Sequence, residues 1–535
     1  MHPTNRTFAP IEAFVEELVR CGMTHAVTSP GSRNAPLALT LAAQTGLEAV
    51  SVIDERSAGF VALGMAKAGG RPVAVTCTSG SAAANLHPAV VEAWEARVPL
   101  IMMTADRPPE LREVGAGQSI DQLRLYGSAV KWFVEVGTHD PGRETAIHHR
   151  ALACRAFYTA AGGRPGPVHL NFPLREPLAP APEELDPVDW RGRDDGRPWT
   201  ELREARASMD PLPLPPGRGV VVCGSTSESI AEPVARVAAR LGWPVLAEPT
   251  SGLRCGPHDR SHVVAHYDVL LRVPEFAERE RPQVVVRVGD MPTSKPLRAW
   301  VADARQVVID PNAVWNEPTR RAESLVRSPA AAALDALQGE RAPPDWLERW
   351  RAADAFVPAA LAAAPGAFEP KILAGLEPEL PDGSLIWVSS SMPIRDVEAL
   401  FPQSSKDLRF LANRGANGID GVVSSALGAA LASERPTWLL TGELALLHDV
   451  GGLLAARRAG VELQVVCLDN GGGAIFDFLP LAEHADPALY EQHIATPAGL
   501  DLAAIAPEIT VVRTDRRENV RLHRELVARV AQALS

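Results

Sequence analysis

Glu443 and Asn470 lie 27 positions apart (470 − 443), each directly after an apolar run. Trp438 to Leu440 is the first run, and it breaks at Gly442. Leu444 to Arg458 reads as one helix, with Leu446, Leu447, Val450, Leu453 and Leu454 spaced for a single buried face. Leu463 to Leu468 is the second run, stopping at Asp469-Asn470-Gly471-Gly472-Gly473. Two neighbouring parallel strands would bring Glu443 and Asn470 to one carboxyl edge, where open α/β sheets bind ligands. A carboxylate, an amide and a free backbone carbonyl, for which Gly472 is the candidate, are hard oxygen donors. They suit Mg²⁺, which keeps some water and takes other oxygens from phosphates. A helix start at Gly442-Glu443-Leu444-Ala445 adds free N–H groups and a positive dipole end for a diphosphate. The same spacing also suits a plain βαβ unit with ordinary turn residues.

Other reactive types gather at expected strand ends. Ser389-Ser390-Ser391 offers three hydroxyls to a phosphate or carboxylate, or simply caps a loop. Arg33, Arg107, Lys295, Arg395 and Arg414 all fall at such ends in an acidic chain, which suggests anion clamps. Glu55 follows a strand and by itself reads as a helix cap. Gly224 to Ser227 either cradles a phosphate or makes a common βα turn, since no GxGxxG or P-loop lysine is present. His87 and His448 fall on helices and read as structural.

These residues need strands alternating with helices to position them. Strands are expected at 26–27, 50–53, 73–77, 100–103, 220–223, 245–246, 284–288, 307–309, 385–388, 410–411 and 509–512, beside the two already described. That alternation implies α/β architecture: three doubly wound domains with mainly parallel sheets. A length of 535 residues agrees with about three domains. The Pro-rich stretches divide the chain at 1–185, 186–340 and 341–535. Val73 to Asp106 and Leu439 to Asp469 both read strand, Gly-turn, helix, strand, Asp, a sign of duplication with Gly80 and Gly442 equivalent. A net charge of −12 argues against a nucleic-acid groove. Six cysteines without a CxxC pair favour reduced thiols in a cytoplasmic protein, and no apolar run is long enough to span a membrane.

Gly442-Glu443 followed by Asn470 resembles the signature of the thiamine-diphosphate enzymes, although Glu443 and Asp469 stand where Asp and Asn are usual. Within them, a wider set is similar to the menaquinone-pathway family of 2-succinyl-5-enolpyruvyl-6-hydroxy-3-cyclohexene-1-carboxylate synthases. That set is Ser29 to Arg33, Asp54 to Ser57, Thr78 to Asn85, Ala105 to Pro108, Pro292 to Lys295, Met392 to Arg395, Asn413 to Gly415 and Gly473 to Phe476. The resemblance implies decarboxylation of 2-oxoglutarate on thiamine diphosphate and addition of the succinyl semialdehyde unit to isochorismate. It implies a metal, Mg²⁺ or Mn²⁺, on Glu443, Asn470 and Gly472. Cofactor contacts are expected at Glu55, Ser390, Ser391, Ile419, Gly442, Glu443, Leu444, Ala445, Asn470, Gly472, Gly473, Ala474 and Ile475. Glu55 would activate the cofactor, and Ile419 would hold it bent. Substrate contacts are expected at Ser32, Arg33, Arg107, Gln118, Lys295, Arg395, Arg414, Ile475 and Phe476. Of these, Ser32, Arg33, Gln118, Arg395 and Arg414 would join Glu55 in catalysis. A homodimer or homotetramer is expected, with Glu55 of one chain facing the metal site of another. An acetolactate-type carboligase is the alternative.

Overall fold

The computed structural model describes residues 5–186, 190–203, 208–312, 314–506 and 508–535. Its longer strands form three sheets, and every strand pairing among the described residues is parallel. The first sheet runs Glu48–Ser51, His25–Thr28, Val73–Cys77, Leu100–Asp106, Val168–Pro173, Trp132–Glu135. The second runs Val263–Val264, Val245–Ala247, Gly219–Cys223, Val284–Val288, Arg305–Ile309, Ala322–Val326. The third runs Arg409–Leu411, Leu385–Val388, Thr437–Gly442, Gln464–Asp469, Thr510–Arg513. Sequence runs such as Val220-Val221-Val222 and Val284-Val285-Val286 become strands buried on both faces. Continuous β-branched patterning of this kind belongs to parallel sheets covered by helices.

The first and third sheets open with the same strand order, 2-1-3-4 in each sheet's own chain order. Val73–Cys77 and Thr437–Gly442 are the third strands, and Leu100–Asp106 and Gln464–Asp469 the fourth. The likeness read from the sequence therefore falls on topologically equivalent strands. Among the described residues, no helix is long and apolar enough to cross a membrane.

The chain forms two compact units. One comprises Met1–Glu204, Asn413–Glu434 and His448–Leu463, and the other Ala205–Ala412, Arg435–Leu447 and Gln464–Ser535. In the first unit, helices Glu55–Gly69 and Val422–Leu431 approach closely at two glycines. A Cβ on Gly64 would stand 1.9 Å from the Ser425 carbonyl oxygen, and one on Gly428 would stand 1.9 Å from that of Val61. No side chain fits there, so the residue type sets the helix separation.

Two expectations need correction. The single helix expected over Leu444 to Arg458 is two, Glu443–His448 and Val450–Ala459. The carboxylate of the intervening Asp449 accepts from Ser424 N at 2.6 Å and Ser424 Oγ at 2.8 Å, and that bond to another helix takes Asp449 out of the helical path. Leu446 and Leu453 are buried as expected, but Val450 is 37% and Leu454 58% exposed. The strand expected over Val50 to Ile53 ends at Ser51, leaving Ile53 65% exposed. Of the two readings of Gly224 to Ser227, the common βα turn agrees with the structure, where the turn is packed against its neighbour. Asp290 N donates to Ser225 O at 3.0 Å, and a Cβ on Gly224 would meet Asp290 O at 2.0 Å.

Candidate active site

In the second unit, the candidate groups follow the carboxyl ends of adjacent strands. Pairing of Gly442 with Leu468 brings Glu443 beside the turn that holds Asn470, and Ser389 N donates to Leu440 O at 2.9 Å. Glu443 begins its helix, is buried, and accepts a hydrogen bond from Gly472 N. Burial pushes its carboxyl up to about 7, with Asp469 and Glu369 adding repulsion. Asn470 is also buried; its Nδ2 donates to Glu369 Oε1 at 2.9 Å, while its Oδ1 has no partner among the described residues. Gly472 has φ +135°, and a Cβ there would lie 2.5 Å from Ala495 O. Its own carbonyl accepts from Ala474 N at 3.0 Å and keeps a second lone pair.

This donor set fits a hard dication. Among the described residues, no cation is among the groups acting on the buried Glu443 carboxylate, and the buried Asn470 amide oxygen lacks a donor, which native interiors rarely leave so. Among the described residues, no cluster of three or more His, Cys, Asp or Glu is arranged for a metal. An ion here would therefore draw on amide, backbone and phosphate oxygens as well as on Glu443.

Beside this set, Ser390 is buried and Ser391 precedes helix Met392–Leu400. Ser391 takes φ +74° and ψ −130°, a region non-glycine residues rarely enter. Arg395, one turn into that helix, donates through Nη1 to Ser391 O. Leu444 is half-buried and Ala445 buried in the helix that Glu443 opens. Gly473 N donates to Ala495 O at 2.6 Å and leads into the 3₁₀ turn Ala474–Phe478. Ala474 is buried there, Ile475 half-buried and Phe476 exposed. Lys295 is exposed at the start of helix Lys295–Val301 and, among the described residues, makes no hydrogen bond to another expected site residue.

In the first unit, Glu55 is half-buried in the first turn of helix Glu55–Gly69, which Asp54 caps by accepting from Arg56 N at 2.9 Å. Ser79 joins two more expected residues. Its Oγ accepts from Arg107 Nη1 at 2.7 Å, and its carbonyl accepts from Gln118 Nε2 at 3.0 Å. Arg33 donates to Leu174 O at 2.7 Å, but its Nε is buried without a partner. Burial, then the neighbouring Arg107, hold the Arg33 guanidinium below its ordinary range. Glu176, 3.9 Å from Arg33 Nη1, and Asp106 offset part of this repulsion. Ser32 is exposed just before Arg33. Arg414 and Ile419 are half-buried on the loop 413–421, where a Cβ on Gly421 would strike the Phe60 ring at 1.9 Å. His87 opens its helix with its ring 5.5 Å from that of Tyr126, and His448 is exposed.

Residues 11–125 match the family model described as thiamine pyrophosphate enzyme, N-terminal TPP binding domain. Residues 189–381 match the model described as middle domain of thiamine pyrophosphate. Over nearly the whole chain the protein is similar to curated proteins named 2-succinyl-5-enolpyruvyl-6-hydroxy-3-cyclohexene-1-carboxylate synthase. The one from Geobacillus thermodenitrificans is 41% identical, covering 99% of this chain and 98% of the relative. That from Geobacillus kaustophilus is 42% identical, covering 98% of each. That from Natronomonas pharaonis is 40% identical, covering 95% of this chain and 91% of the relative. The chain belongs to this synthase family of thiamine pyrophosphate enzymes.

In this member of the synthase family, two buried acids outside the motifs shape the candidate groups. Glu92 accepts from Gly415 N at 2.9 Å and Ala416 N at 2.6 Å, pinning the loop that carries Arg414 and Ile419. Burial raises its carboxyl above the usual range. Glu369 holds Asn470 and also accepts from Thr514 Oγ1 at 2.8 Å. Burial, with Asp396 adding repulsion, pushes Glu369 up to about 7. No local pattern marks either residue, because the groups they hold are 324 and 101 positions away.

Proposed function

We propose that this chain decarboxylates 2-oxoglutarate and adds the resulting four-carbon unit to isochorismate, making 2-succinyl-5-enolpyruvyl-6-hydroxy-3-cyclohexene-1-carboxylate and CO₂. The observation that carries this reading is 41% identity over 99% of the chain to a synthase of that name. The chemistry of the site residues supports it independently. Glu443, Asn470 and the Gly472 carbonyl would hold Mg²⁺ or Mn²⁺. The N–H groups opening the helix at Glu443, together with Ser390 and Ser391, would take the diphosphate. When bound, thiamine diphosphate supplies the electron sink for decarboxylation. Ile419 would support the cofactor, and Glu55 would hold the proton exchanged with its aminopyrimidine. Both substrates are dianions. Arg33, Arg107, Arg395, Arg414 and Lys295 answer that charge, while Ser32 and Gln118 orient the carbonyl and hydroxyl groups. Ile475 and Phe476 would give an apolar wall that disfavours charge on the thiazolium and so eases decarboxylation.

The division into residues 1–185, 186–340 and 341–535 assigns the pyrimidine side, a central domain and the diphosphate side. Six free cysteines support a reducing, cytoplasmic setting. Exposed Ile53 and Leu454 support self-association as a homodimer or homotetramer. The test is CO₂ release and product mass with 2-oxoglutarate and isochorismate, each alone and together, in the presence of thiamine diphosphate and Mg²⁺. The condensed product should form only with both. Turnover of pyruvate to acetolactate without use of 2-oxoglutarate would overturn the reading.

A further inference from the structure

An asparagine amide has two ends of nearly equal size, and only its partners decide which end faces a ligand. For Asn470 the deciding partner is Glu369. Glu369 is fully buried, opens helix Glu369–Gly375, and receives Asn470 Nδ2 at 2.9 Å and Thr514 Oγ1 at 2.8 Å on the same oxygen, Oε1. Thr514 is itself fixed, since its N donates to Asp469 O at 2.9 Å. The Asn470 NH₂ end meets Glu369 Oε1, an oxygen that already accepts from Thr514, and Asn470 Oδ1 is left buried with no partner among the described residues.

We propose that Glu369 is a positioning residue that locks the Asn470 amide with its oxygen toward the metal. This inference rests on the reading of Glu443, Asn470 and Gly472 as metal ligands. Glu369→Gln keeps the shape of the side chain but offers an amide that can donate as readily as accept. The Asn470 amide is then free to turn, presenting NH₂ to the cation.

The experiment is Mn²⁺ binding to the full-length protein with thiamine diphosphate, read from the free-ion electron paramagnetic resonance signal, with thermal unfolding of the metal-free protein as a control. Glu369→Gln should weaken Mn²⁺ binding by about 10–100-fold, as other changes behind a metal ligand do. In an Asn470→Asp background the loss should shrink to within about twofold, because a carboxylate has no NH₂ end to turn toward the cation. Thr514→Val removes only one anchor of Glu369 and should give a smaller loss, which keeps the test available if Glu369→Gln fails to fold. Losses of equal size in both backgrounds would make Glu369 merely structural and overturn the inference, as would Mn²⁺ affinities within about twofold of the parent for Glu369→Gln and Thr514→Val. A parent protein that binds no Mn²⁺ would overturn the metal reading itself, and this inference with it.

Discussion

One methylene separates Glu443 from the aspartate usual at this place in thiamine-diphosphate enzymes. The longer arm meets a site that can accommodate it. Gly472, with no side chain and φ +135°, brings its N–H to the carboxylate, and Gly471 before it has open space on its Cβ side. Mg²⁺ asks for near-ideal octahedral geometry at about 2.0–2.1 Å, so a longer ligand arm favours the larger and more tolerant Mn²⁺. Activity titrated with metal should therefore show Mn²⁺ serving at least as well as Mg²⁺. Glu443→Gln should raise the half-saturating Mg²⁺ concentration by at least about tenfold, since even changes behind a ligand have effects of that size. Glu443→Asp should retain metal dependence. If Glu443→Gln needs no more Mg²⁺ than wild type, the carboxylate is not a ligand. Glu443 and Asn470 were legible in the sequence because strand ends are local events, marked where an apolar run meets a polar turn. The orientation of the Asn470 amide was not legible, since it depends on a partner 101 positions away.

At the level of elements, strands rich in valine were legible to within a residue or two, as at Val73–Cys77, Val284–Val288 and Leu385–Val388. The break after His448 was not, because Asp449 leaves the helix to bond Ser424 on another one. The loop 413–421 shows the same limit. Its glycines announce a turn, but what holds it is Glu92 on helix His87–Glu95, whose carboxylate receives two loop N–H groups. Glu92→Ala would remove the acceptor from both donors, at about 1–3 kcal/mol for the half-buried Gly415 N–H and less for exposed Ala416, and release the segment carrying Arg414 and Ile419. The expected result is a rise in KM for the dianionic substrates and faster hydrogen exchange confined to 413–421. Glu92→Gln keeps one acceptor and should recover part of the loss. Unchanged KM with unchanged exchange in Glu92→Ala would remove Glu92 from the positioning of this loop.

On the scale of the whole molecule, two sheets with one opening strand order mark an architecture of two related halves. Glu55 belongs to one half, and Glu443 with Asn470 to the other. The first unit also leaves Ile53 65% and Leu454 58% exposed. Two-fold association makes both reaction centres of a dimer equivalent, and lets each draw on both chains. Glu55→Gln and Asn470→Ala chains should each be inactive alone as homodimers, the first because an amide cannot exchange the proton, the second because the metal loses a ligand. If centres are shared, a mixed dimer concentrates both defects in one centre and leaves the other intact. Random exchange of equal amounts makes half the dimers mixed, so about a quarter of wild-type activity should return. Subunit exchange is checked by tagging one variant and recovering both in the same dimer. Recovered mixed dimers that remain inactive would show that each chain builds its reaction centre alone.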